Sequence, residues 1–320
     1  MNPFIIPEIV ELNTKIAPRH FPLRRASVLQ DSFSRMLSRH IGGLQSGQRF
    51  ETGSLLVTGL SGSGKSKEIG DLLHRFHESA TLLSSGQTTK FAACVLDSKG
   101  GWKGLGKATL RALGYPIDEK TRRTQSEIWD LVVAQAELRG FVGIHYDEAQ
   151  HIMRGRGEGE LLAILDSFKT LMKSHQWPLM LILSGVPELE DYVRQEPQLF
   201  RLMSRVRFEE ITLSTDNAGL ADDYSVINEI IGSYAIDAGL GVSEDLRSID
   251  FLRRLATAGA FRWGTLIEIT LLALDVAKVG GAGELTRAHF DRAWFNKTGM
   301  NEIASPFSHP SYETMYRRDR

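Results

Sequence analysis

Gly59-Leu60-Ser61-Gly62-Ser63-Gly64-Lys65-Ser66 fills every fixed position of the pattern G-x-x-x-x-G-K-[ST]. An apolar run at residues 54–58 precedes it and reads as a strand, and an amphipathic stretch at residues 65–77 follows it and reads as a helix. In that setting the glycines let backbone N–H groups turn inward around phosphate oxygens, and the helix start adds its positive dipole end. The reading is a phosphate-binding loop. Gly59, Leu60, Ser61, Gly62, Ser63 and Gly64 cradle the phosphates, Lys65 reaches the β- and γ-phosphates, and Ser66 ligates the metal. The motif predicts a nucleoside triphosphate and Mg2+ as the ligands.

Working outward, further short apolar runs fall at residues 91–96, 141–146, 179–184 and 206–213. Amphipathic stretches at 104–113, 125–138 and 160–175 separate them. Strands alternating with helices predict an α/β, three-layer sandwich around a five-stranded parallel sheet. After residue 213 the strands stop. Segments 223–238, 249–258, 263–279 and 287–295 read as helices, a small all-α lid joined by glycine-rich turns. The expected divisions are a basic N-terminal arm with helical character at 1–50, the α/β domain at 51–215, the helical lid at 216–295 and a tail at 296–320. Tyr312, Met315 and Tyr316 would anchor that tail if it docks on a partner; a disordered end is the plainer reading.

The strand at 141–146 runs into Asp147-Glu148. Asp147 stands where a carboxylate would hold Mg2+ and its water shell. Glu148 can polarise a water for attack on the γ-phosphate. Asp147-Glu148-Ala149-Gln150 also has the form of a helicase D-E-A-x box, but no Gln-x-x-Gly-Arg-x-Gly-Arg stretch accompanies it. Ser184 ends the next apolar run, where a hydroxyl could sense the γ-phosphate; a plain strand-to-loop turn is the alternative. Arg201, Arg205 and Arg207 precede or enter the fifth strand, and an arginine there can reach a neighbouring subunit's ATP. Arg205 is favoured, with Arg201 in reserve, against a solvated basic helix end. Arg262 opens the long lid helix and can report on the γ-phosphate, or else pair with the acidic stretch at 209–250.

Composition narrows the class. The net charge is −1, with 42% hydrophobic and 24% charged residues, so a uniformly basic nucleic-acid coat is excluded while a local basic groove is not. Charge is uneven: residues 1–50 hold seven bases against three acids, and residues 209–250 hold ten acids against one base. The single cysteine, Cys94, rules out an internal disulfide framework and suits a reducing cytosol. No apolar run approaches membrane-spanning length, and the start carries acids rather than a basic leader, so a cytoplasmic protein with no membrane partner is expected. His74, His77 and Glu78 fall on one helix, a poor metal signal on their own.

The order phosphate loop, extra strand, D-E pair, polar sensor, arginine finger and helical lid resembles the AAA+ superfamily across residues 30–295. Within it, residues 141–152, the turn Gly185-Val186-Pro187-Glu188-Leu189 and the lead-in Arg19-His20-Phe21-Pro22 resemble the bacterial transposition ATPases TniB, TnsC and MuB. His145 departs from the pattern, because an aliphatic residue is usual there. The resemblance implies a nucleoid-associated ATPase that assembles with ATP on duplex DNA as a ring or helical filament of its own copies. It would mark a target site, connect a TniQ-like targeting factor to a DDE transposase, and come apart through hydrolysis. Family DNA contacts would fall on Lys99 and Lys103 and on Arg122, Arg123 and Thr124, with Lys120 nearby. A helicase loader or replication initiator, and a secretion or signalling ATPase of the ExeA kind that binds no DNA, share much of the same pattern.

Overall fold

The computed structural model describes the chain apart from residues 1, 17–18, 20, 84, 97–100, 119, 121, 214–221, 301 and 316–320. The principal elements run α1 (Pro7–Ile16), α2 (Arg24–Ser46), β1 (Ser54–Gly59), α3 (Lys65–Glu78), β2 (Lys90–Val95), α4 (Trp102–Ala112), α5 (Gln125–Arg139) and β3 (Phe141–Asp147). Then come α6 (Gln150–Met153), α7 (Glu158–Met172), β4 (Met180–Gly185), α8 (Glu188–Arg194), α9 (Pro197–Arg201) and β5 (Met203–Phe208). The last helices are α10 (Asp222–Ala238), α11 (Ile249–Ala258), α12 (Trp263–Val279) and α13 (Arg287–Thr298). The chain forms two compact units: a sheet unit of residues 24–61 and 65–208, and a helical unit of residues 1–23, 62–64 and 209–320.

In the sheet unit five parallel strands lie in the order β2-β3-β4-β1-β5. Period-2 alternation divides their apolar side chains between two cores. Leu55, Val57, Met180, Ile182, Val206 and Phe208 pack under α2 and α3. Leu56, Ile144, Tyr146, Leu181 and Leu183 pack under α4, α5 and α7. Each such side chain, fully buried, contributes about 1.5–3 kcal/mol. Pairing between β2 and β3 slips by one residue after Lys90, which puts Val142 on the α2/α3 face. Gly143 follows the slip, where a Cβ would lie 2.3 Å from the Phe91 ring. The ring fills the place of the missing side chain.

The expected fold class is the one observed, with shifts at element edges and one addition: in the helical unit, where strands were expected to stop, Gly241–Val242 pairs in parallel with Glu284–Leu285. The fifth strand was expected at 206–213, but β5 is Met203–Phe208. Its buried residues are Met203, Val206 and Phe208, and beyond it the Ile211 N–H donates to the Phe261 carbonyl at 2.8 Å within the helical unit. The apolar residues at 211 and 213 therefore belong to a different core. The expected boundary at 215/216 lies outside the described residues.

The helical unit packs α1 on α10 and α12, and α12 on α13. Its core includes Leu12, Ile16, Ile227, Ile231, Leu255, Leu266, Leu274 and Phe290. Residues 302–315 are packed rather than free. Phe307 is fully buried against Phe251 and Phe290, and Arg254 Nη1 donates to the carbonyls of Pro306 and His309, each at 2.8 Å. Tyr312, expected as a docking anchor, lies under the Arg254 guanidinium, 4.1 Å from its ring centroid. Met315 is exposed, and Tyr316 is outside the described residues. Sparse aromatic residues with no helical period gave no sequence signal for this packing.

Bases of the 1–50 stretch are engaged internally, Lys15 with Glu11 at 2.6 Å on its own helix among them. Arg19 pairs with Asp237 at 2.6 Å in the helical unit, and Arg25 is buried over Phe208 and 3.6 Å from Glu68 in the sheet unit. Burial pushes the Arg25 guanidinium down to about 10 against the pull of Glu68. Among the described residues, no helix is long and apolar enough to cross a membrane.

Candidate nucleotide site

β1 lies between β4 and β5, and the phosphate-binding loop leaves its carboxyl end. Gly62 and Gly64 have φ of 80° and 95°, the left-handed region where a side chain is strained. Such alternation turns successive N–H groups toward one concavity. Ser63 is buried, and its Oγ has no hydrogen-bond partner among the described residues. Lys65 is buried too, and its Nζ donates to the carbonyls of Gly59 at 2.8 Å and Leu60 at 3.2 Å. Phosphate oxygens are stronger acceptors for this ammonium. A cradle with an orphaned hydroxyl and a folded-back lysine fits a triphosphate.

The other half of the site comes from the ends of β3 and β4. Tyr146 pairs with Leu183 and Val57 with Ser184, so His145, Asp147 and Ser184 share the sheet face that α3 covers. The Ser184 hydroxyl donates to Asp147 Oδ1 at 2.6 Å, and His145 Nε2 lies 2.8 Å from the same hydroxyl oxygen. Because the serine proton is committed to the carboxylate, the imidazole Nε2–H donates to Ser184. Burial holds His145 down at about 4, against the raising effect of Asp147, so the ring is neutral at pH 7. Its 4.0 Å approach to Asp147 is then no ion pair.

Burial pushes the Asp147 carboxyl up, but hydrogen bonds from Ser184 and Ser66 outweigh it, helped by His145 and the Glu148 N–H, and the group ends below its ordinary range. Ser66 and Asp147 are the two expected metal ligands, and the serine hydroxyl favours the charged form of the carboxyl. A hydroxyl and a carboxylate side by side suit Mg2+, which takes one or two protein oxygens and completes its shell with phosphate and water.

Glu148 has φ of 51°, uncommon for a residue with a side chain and worth about 1–3 kcal/mol of strain. Its Oε2 accepts from Gln150 Nε2, and His151 Nε2 lies 3.6 Å from the same oxygen. The Ala149 N–H donates to the Ser184 carbonyl at 2.9 Å, which ties this turn to β4. Neither the His145–Ser184 bond nor the Gln150 contact was foreseen from sequence. The unusual histidine in an apolar strand was the one available signal.

The three arginines near β5 differ in their partners. Arg201 pairs with Glu51 at 3.3 Å, and Arg207 pairs with the well-buried Glu190 at 3.0 Å. Arg205 is exposed and lies over the Phe200 ring at 4.7 Å, with no carboxylate partner among the described residues. Arg262 is the N-cap of α12, and its carbonyl accepts from the Leu266 N–H at 2.9 Å. In the helical unit the Thr265 N–H donates to the Gly62 carbonyl at 3.0 Å.

Of the expected DNA contacts, Lys99 lies outside the described residues. Lys103 sits in the first turn of α4, and Arg122 and Arg123 precede α5. Helix α4 follows β2 and α5 leads into β3, so both start at the carboxyl edge of the sheet, the edge of the phosphate loop. Thr124 is already engaged: it caps α5 in a reciprocal box with Glu127. His77 accepts from the Phe91 N–H at 3.0 Å, an internal role at the sheet edge, and His74 lies 3.4 Å from Glu78 on the surface.

A phosphate loop beside a D-E pair on a five-stranded parallel sheet of this order defines a P-loop nucleotide-binding fold. Residues 48–193 match a protein-family model described as AAA domain, and the fold is that of the AAA+ ATPases. Among solved structures, the ORC2 protein of Aeropyrum pernix in ADPNP–ADP complexes is similar, with a TM-score of 0.57 and 16% identity over 90% of this chain and 72% of that one. Cdc6p from Pyrobaculum aerophilum gives 0.58 and 14%, over 91% and 72%. The Aeropyrum pernix ORC1 protein in complex with DNA gives 0.57 and 15%, over 92% and 70%. A comparison with curated protein sequences finds no match.

Proposed function

We propose that this chain hydrolyses Mg-ATP and uses the bound triphosphate to assemble, copy on copy, along duplex DNA. The observation that carries the catalytic part is the Ser184–Asp147 hydrogen bond, with Ser66 lowering the same carboxyl, in the unit that also presents Lys65 and Glu148. Ser66 and Asp147 would hold Mg2+, which supplies charge neutralisation at the β- and γ-phosphates when bound. Glu148 takes a proton from the attacking water. The water oxygen bonds to the γ-phosphorus as the bond to the β–γ bridging oxygen breaks, and ADP and phosphate leave. Lys65 stabilises charge on the phosphoryl oxygens, and Arg205 of an adjacent copy adds a second cation, with Arg262 responding from the lid.

Within that frame we read the chain as a regulator of transposition that marks DNA and links a TniQ-like factor to a DDE transposase. The turn at residues 185–189 and the lead-in at 19–22 support this. The likeness to Orc and Cdc6 structures supports a second reading, a replication initiator or loader. Electron microscopy with duplex DNA tests the shared core: regular rings or filaments are expected with a slowly hydrolysed ATP analogue and not with ADP. Bare DNA in both nucleotides at low salt overturns DNA assembly and leaves an ATPase acting on a protein partner.

A further inference from the structure

We propose that Gln150 is a positioning residue that fixes the Glu148 carboxylate by anchoring it to the end of β4. This rests on the reading of Glu148 as the general base.

The argument starts from burial. Gln150 is 1% exposed, yet it opens a short helix directly behind the D-E turn. Burying an amide there, where an apolar side chain would pack at lower cost, needs a polar reason. One end of the amide supplies it: Nε2 donates to Glu148 Oε2. The other end is tightly housed but unpaired, because Oε1 is buried with no hydrogen-bond partner among the described residues.

What houses it is Gly185. A Cβ built at 185 would lie 2.0 Å from Gln150 Oε1 and 3.2 Å from its Cδ. Gly185 does not have a positive φ, so its backbone does not demand glycine; the space taken by the Gln150 amide does. Gly185 directly follows Ser184, whose hydroxyl holds Asp147 and whose carbonyl accepts from Ala149. The amide therefore wedges between the sensor strand and the base.

Holding Oε2 divides the labour of the carboxylate. One oxygen is fixed by Gln150, and Oε1 is left to accept the proton of the attacking water. Without the amide donor, a side chain on a left-handed backbone position that is more than a third exposed keeps no fixed direction. Misplacing a catalytic group by about 1 Å costs on the order of 100-fold in rate.

The test compares steady-state ATP turnover with direct binding of a fluorescent ATP analogue, on the full chain. Gln150→Leu keeps the volume and removes the donor. The expected result is a kcat about 10- to 100-fold lower, with KM and nucleotide affinity changed less than about 2-fold. Gly185→Ala pushes on the amide and is expected to lower kcat in the same way. In a Gln150→Ala background the closer obstacle is gone and only Leu189 Cδ2, 3.0 Å from the new Cβ, remains, so adding Gly185→Ala should lower kcat by less than about 2-fold further. Independent, additive losses in the double variant overturn the proposal, as does a parallel loss of nucleotide affinity, which marks a merely structural role. An unchanged or raised kcat in Gln150→Leu, with Glu148→Gln inactive, overturns the proposal and leaves the base assignment standing. Full turnover by Glu148→Gln overturns both.

Discussion

The polar cluster around Arg254 in the helical unit and the one around Asp147 in the sheet unit are built to opposite rules. In the helical unit the Arg254 guanidinium is engaged through Nε, Nη1 and one face: Asp250 at 2.8 Å, the carbonyls of Pro306 and His309, and the ring of Tyr312. In the sheet unit Asp147 takes bonds from Ser184 and the Glu148 N–H, but 24% of its side chain stays open. In the same unit the buried amide oxygen of Gln150 has no partner among the described residues. A saturated network fastens structure together. One with capacity left over is ready for a ligand.

The contrast breaks most sharply by substitution at its reactive end. Glu148→Gln is expected to lower ATP turnover by about 100- to 10,000-fold while nucleotide binding persists. Retained turnover in a phosphate-release assay would remove the catalytic half of the comparison. At the saturated end, Arg254→Ala strips two carbonyls of their buried donor and should destabilise the helical unit by about 3–5 kcal/mol in urea unfolding. Nucleotide affinity measured at low temperature should hold, and a loss there would mean this cluster is not purely structural.

A third buried group sharpens the contrast within the sheet unit itself. His40 is 1% exposed, with Nδ1 2.8 Å from the Thr52 hydroxyl, and burial pushes it down to about 4. The unfolded chain takes up this proton near pH 6.5 and the folded chain only near 4, so stability falls as pH drops through that window. The loss reaches about 3 kcal/mol at pH 4, at about 1.4 kcal/mol per unit. His145, held down to about 4 as well, adds a like slope, so His40→Asn should remove about half of the fall in unfolding midpoint between pH 7 and 4. The smallest effect belongs to Thr124: Thr124→Ala removes the α5 cap and should cost about 1 kcal/mol in thermal stability. A loss of DNA binding well beyond that cost would give the hydroxyl a second role on DNA.

The strand-and-helix alternation and the phosphate loop were legible because each rests on local pattern: periods of 2 and 3.6, and glycines at fixed intervals. The aspartate and serine that meet in the site were also legible as strand ends. Their mutual hydrogen bonds were not, because pairing register between β3, β4 and β1 is set by packing across the whole sheet. β5 was misplaced for a related reason, since Ile211 and Leu213 extend the apolar run while turning into another core. The packing of residues 302–315 rests on single aromatic side chains and backbone carbonyls, which carry no period at all.

The helical unit has one further property, which concerns synthesis. Helix α1, near residue 10, packs on α10 and α12, which begin beyond residue 221. The sheet unit is almost contiguous and can close once residue 208 has left the ribosome, whereas its companion waits for more than a hundred further residues. In the meantime α1 trails with Leu12 and Ile16 uncovered, and it is brought home only by closing a very long loop. The nucleotide loop is thus translated early, but the unit that groups with its three central residues is completed after the sheet unit.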